Sequence, residues 1–136
     1  MGDLTRDDRN IDWTGWFLRG CVAIAFVYIG LDKFDDAPNG EWIRIFARIG
    51  FGQWFRYATG VVEVGGGVLF VFPRTKLAGA ALLGSAMIGA IVAHFTVLHD
   101  AVLGVIPLAL LAVVIGIALR IPDQPLERRK AKRPPT

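Results

Sequence analysis

Glu63 is the residue from which chemistry is most directly expected. It follows Trp54 by nine residues and precedes Pro73 by ten in an apolar run, which on a helix puts it about 15 Å from either end, near the middle of a bilayer. A carboxylate at that depth must be paired, protonated or set beside a wet cavity. Gly60, Gly65, Gly66 and Gly67 flank it and let a neighbouring backbone come close. Arg19, Ala23, Phe26, Gly30 and Lys33 fall on one face of an earlier helix, so that face meets other helices rather than lipid. Counted from Trp13, Arg19 lies about 9 Å deep, which predicts a pair with Glu63, while Lys33 snorkels to the outer interface. Such a pair either fixes helix register or gives a proton-linked, ligand-binding carboxylate; the residues alone leave both open.

Met87 shares Glu63's depth, and His94 lies farther out, level with Lys33 and Arg56. Arg19, Lys33, Arg56, Glu63, Met87 and His94 are the ligand or proton candidates. With the glycines they are expected to line a narrow polar cavity opening outward. One histidine and one glutamate about 13 Å apart in depth make no metal site. The sequence also lacks a haem pair, iron–sulfur spacing, a phosphate loop and a nucleophile–base set, so no catalytic residue is assigned. Cys21, the single cysteine, cannot close an intramolecular disulfide and is expected to pack.

The elements that position these groups are four apolar stretches, 13–31, 54–72, 77–98 and 101–119. Each makes a helix of about 28–33 Å, the thickness of the hydrocarbon core, and none alternates like a barrel strand. The expected fold is an all-α transmembrane four-helix bundle. A helix unbroken from 77 to 119 would run about 64 Å, so the chain must reverse at His99-Asp100. In the long connection 34–53, Trp42, Ile45, Phe46 and Ile49 lie opposite Glu41, Arg44 and Arg48. This pattern predicts a short interfacial helix over Glu41–Ile49, bounded by Asn39-Gly40 and Gly50, as a lid or docking surface. Pro107 is a potential kink in the last span.

Residues 1–12 form an N-terminal arm, 13–119 the membrane domain and 120–136 a basic, proline-containing tail. The first span lacks the short apolar core and cleavage site of a signal peptide and is expected to remain. The net charge is +3 and the pI about 9.4. The basic residues gather at the tail and connections as a topology signal, which does not point to nucleic acid. Ten basic residues on the arm, the 74–76 connection and the tail oppose four on the other side. That bias predicts both termini in the cytoplasm; the expected location is a bacterial inner membrane.

Arg19-Gly20, Phe26, Gly30 and Lys33-Phe34 resemble the opening signature of the DoxX-like family of small membrane proteins. The run from Arg56 through Glu63 to Gly66 resembles that family's second-helix segment. Pro73-Arg74-Thr75 with Met87, Ala90 and His94 matches its third-helix pattern. The resemblance implies four membrane helices and a role beside the quinone pool, as an accessory subunit of a membrane redox system. Quinone is the cofactor class it implies; the partners are the lipid bilayer and either a redox-enzyme subunit or a second copy. Two other readings stand: a small proton-coupled transporter of an apolar or cationic substrate, and a purely structural membrane partner.

Overall fold

The structure, a computed structural model, describes residues 13–120. These fold into five α-helices: α1 (Trp13–Asp32), α2 (Glu41–Ile49), α3 (Gln53–Val71), α4 (Lys76–Ala93) and α5 (Ala101–Arg120). A π-helical turn, His94–Leu98, prolongs α4, and the described residues contain no strand. Three segments are long and apolar enough to cross a membrane: Trp13–Asp32, Lys76–Leu98 and Ala101–Leu119. The remaining expected span, α3, has the length, at 19 residues. Arg56, Glu63 and four glycines make it less apolar than the others.

The long helices pack in chain order, α1 on α3, α3 on α4 and α4 on α5, and α5 also touches α1. Neighbours run antiparallel: Gly30 meets Gly60 while Ala23 meets Gly67, and Gly66 meets Leu83 while Gly79 meets Phe70. The core is one cluster of Phe26, Phe70, Leu83, Met87, Val114, Ile117 and Ala118. Large side chains such as Phe17, Ile24, Tyr28, Val102 and Leu119 point outward, as suits a surface solvated by lipid. Cys21 is exposed on this outer face, contrary to its expected packing role.

The reversal at His99-Asp100 is built as the helix-length argument requires. His99 adopts a left-handed conformation (φ 54°). Asp100 then caps α5, its carboxylate accepting from the Leu103 N–H at 3.1 Å and its carbonyl from that of Gly104 at 3.0 Å. Before the reversal the α-helix ends at Ala93, earlier than expected, and widens into the π turn.

Helix α2 has the expected bounds. Gly50 (φ 88°) ends it in the left-handed region that glycine adopts without strain, its N–H donating to Phe46 O at 3.2 Å. Phe46 is buried and its ring lies 5.8 Å from that of Phe55 on α3. Two hydrogen bonds fasten the helix: Gln53 Nε2 to Ile43 O and Arg48 Nη2 to Leu98 O, each 3.1 Å. The apolar side of α2 therefore rests on α3 and the π turn.

Candidate functional site

At the centre of the site a buried ion pair joins α1 to α3. Lys33 Nζ lies 2.5 Å from Glu63 Oε2, and both residues are only 4% exposed. The pair exists because the two backbones nearly touch: a methyl group added at Gly60 would lie 2.8 Å from Gly30 O, and one at Gly30 would lie 2.9 Å from Gly60 O. Trp42 of α2 roofs the pair. Its ring centroid is 4.0 Å from Lys33 Nζ, and its indole N–H donates to Asp32 Oδ2 at 2.6 Å. An ammonium held between a carboxylate and an aromatic face is stabilised from both sides.

The expected partner of Glu63 was Arg19, and the structure replaces it with Lys33. The contacts of Gly30 with Gly60 and of Ala23 with Gly67 place Arg19 about two helical turns from Glu63. Side-chain direction widens that gap. Helical side chains lean toward their own N-terminus, so on antiparallel helices Arg19 and Glu63 lean apart while Lys33 and Glu63 lean together. Arg19 instead donates from Nε to Gly15 O at 3.1 Å and lies 5.6 Å from the Trp16 ring centroid.

Arg56 is 1% exposed and holds the chain leaving α1. Its Nη1 donates to Lys33 O at 2.5 Å and Asp35 O at 2.8 Å; its Nη2 donates to Asp36 Oδ1 at 2.5 Å and Tyr57 Oη at 2.9 Å. The Tyr57 hydroxyl also donates to Asp36 Oδ1 at 2.6 Å. That hydroxyl first, and the guanidinium second, hold the Asp36 carboxyl below the usual carboxylate range. Arg56 thus positions Lys33 through the backbone.

The other candidates fall elsewhere. Met87 is packed in the core cluster. His94 opens the π turn, its Nδ1 buried without a hydrogen bond, and none of its hydrogen bonds reaches Lys33, Glu63 or Arg56 among the described residues. Of the four glycines expected to line a polar cavity, Gly65 has open space beside it. Neighbouring helices fill the space beside Gly60, Gly66 and Gly67, because in a membrane glycine serves close helix approach. A groove of about 460 Å³ lies on the α1–α3 exterior, lined by Ile24, Tyr28, Leu31, Val68 and Phe72 among others; it includes none of the six candidates. No group of three potential metal ligands occurs among the described residues.

Sequence reasoning missed Trp42 as Lys33's roof and Asp36 with Tyr57 as partners of Arg56. The amphipathic pattern did put Trp42 on the inward face of α2, and that was the available signal. A family model described as the DoxX-like family matches residues 17–117, which include the whole site. No curated protein and no solved structure matches the chain.

Proposed function

Because this chain belongs to the DoxX-like family, we propose that it is an accessory subunit of a membrane redox system linked to the quinone pool. The observation that carries this reading is the buried Lys33–Glu63 pair beneath Trp42. In the proposed arrangement α3 is the fourth span of a transmembrane bundle, and α2 lies in the outer interface. A quinone-class head group supplies two-electron, two-proton chemistry, and the residues fit it: an ammonium donor for a carbonyl oxygen, a carboxylate that takes or returns a proton, and an aromatic plane. Lys33 orients the head group, Glu63 holds the proton at its carboxylate, and Trp42 with α2 keeps water out. Binding of a quinone analogue to the protein in nanodiscs is expected to weaken at least tenfold in Glu63→Gln. Absence of binding by the wild-type chain would overturn the reading.

The same bundle is proposed to sit in a bacterial inner membrane with both termini cytoplasmic, on the ten-to-four bias of basic residues. With Cys21 replaced by serine, Asn39→Cys should react with an impermeant maleimide in intact spheroplasts. Reaction only in inverted vesicles would reverse the orientation.

One observation favours a structural membrane partner instead: Lys33 and Glu63 satisfy each other, and close helix packing fills the space beside Gly60, Gly66 and Gly67. The binding measurement separates the two readings.

A further inference from the structure

Among the described residues four buried side-chain atoms lack a hydrogen-bond partner, and three of them lie toward the α2 end of the molecule: Gln53 Oε1, Arg56 Nε and His94 Nδ1. A buried polar atom left unpaired is costly, so three at one level call for a common partner. Gln53 and Arg56 are one turn apart on α3. His94 reaches the same level from α4. A methyl group at Gly66 would meet Leu83, and equal steps from there toward α2 along the two antiparallel helices bring His94 level with Phe55. Helix α2 closes this level, with Phe46 on Phe55 and Arg48 on the Leu98 carbonyl.

Bonds made elsewhere hold each of the three residues in place. Gln53 Nε2 donates to Ile43 O at 3.1 Å, which turns Oε1 away from that carbonyl. Arg56, 1% exposed, uses Nη1 and Nη2 for Lys33 O, Asp35 O, Asp36 Oδ1 and Tyr57 Oη. The His94 carbonyl accepts from the N–H groups of His99 and Asp100 and so anchors the π turn that carries its ring.

We propose that Gln53, Arg56 and His94 hold ordered water beneath α2, between α3 and the π turn. Chemistry selects the occupant. It must accept from the Arg56 Nε–H and donate to Gln53 Oε1. A carboxylate or a quinone carbonyl cannot donate, and a metal cation cannot accept. Water does both and takes or gives a third bond at His94 Nδ1, and about three bonds are what a buried water makes. The site is separate from the Lys33–Glu63 pair, although Arg56 links the two through the Lys33 carbonyl. It makes the bundle interior wet at the α2 end, in contrast to the apolar cluster around Phe70 and Leu83.

Hydroxyl-radical footprinting of the full chain in nanodiscs tests the site, because X-rays generate radicals from bound water as well as from bulk. Phe46 and Phe70 are both buried, yet Phe46 should be oxidised several-fold more than Phe70, and His94 should be labelled with it. After brief mixing with heavy-oxygen water, His94 and Phe46 should still take up light oxygen while the exposed Trp54 takes up heavy oxygen. Gln53→Leu, which removes the acceptor, should lose the light-oxygen label at His94. Where that variant does not fold, the wild-type comparison decides alone. Labelling of Phe46 no greater than that of Phe70 would overturn the proposal; a hydroxylated lipid in place of water would give that result. So would heavy oxygen entering at His94 as fast as at Trp54, because this level would then be open to bulk solvent.

Discussion

Replacing Glu63 with Leu, or Lys33 with Met, should each destabilise the protein by about 3–5 kcal/mol, and replacing both should cost much less. The reasoning follows from burial. Each residue is 4% exposed, so removing one leaves the other's charge in a low-dielectric interior without its counter-ion. Removing both leaves an apolar contact of similar volume, and Met keeps the straight chain that lies under Trp42. Denaturant unfolding in detergent, or recovery of monodisperse protein after heating, measures the three variants. Additive losses in the double variant would show that the residues do not act as a pair. The same variants separate stability from function. If the pair is also a head-group site, the double variant folds yet binds no quinone analogue; if it only fixes helix register, the double variant retains whatever partner the protein assembles with.

The sequence allowed that pair to be half read. Burial of a charged stripe on α1 and the depth of Glu63 followed from helical spacing, and the helix boundaries lie within a few residues of the apolar stretches. Choosing between Arg19 and Lys33 required a quantity that depth counting omits, the direction in which each side chain leans. Depth was also measured from the ends of each stretch, whereas the actual offset of α1 against α3 is set where Gly30 meets Gly60. Similarly, glycines around a carboxylate fit both a cavity and a close helix contact. Only the neighbouring backbone decides, and that information is tertiary. Arg56 shows the same limit: its depth was legible, but its partners Asp35, Asp36 and the Lys33 carbonyl depend on how the loop after α1 turns back.

Gly79→Ala is expected to be among the most damaging single-methyl changes in the molecule. A methyl group there would press on Phe70 N and lie 2.7 Å from both Phe70 Cα and Gly66 O. All three are backbone atoms of α3 and cannot rotate aside, so α3 and α4 must separate. Apolar association gives membrane helices no drive together, and their contact rests on close packing. Overpacking here should cost about 1–3 kcal/mol or more, and the separation would loosen Phe70 and Leu83, both fully buried at this interface. Gly60→Ala should act similarly on α1 and α3, with a methyl 2.8 Å from both Gly30 O and Phe34 Cε2. Because Gly60 sits one turn from Glu63, that change should also part the ion pair and weaken any ligand binding that depends on it. The controls are Gly65→Ala and Gly89→Ala, where an added methyl meets nothing within 4 Å. There the better helix propensity of alanine should leave stability unchanged or raise it by up to about 1 kcal/mol. Unfolding midpoints of the four variants in one detergent give the comparison. If Gly79→Ala and Gly65→Ala unfold alike, α3 and α4 do not approach as closely as described, and the packing that positions Glu63 must be held another way.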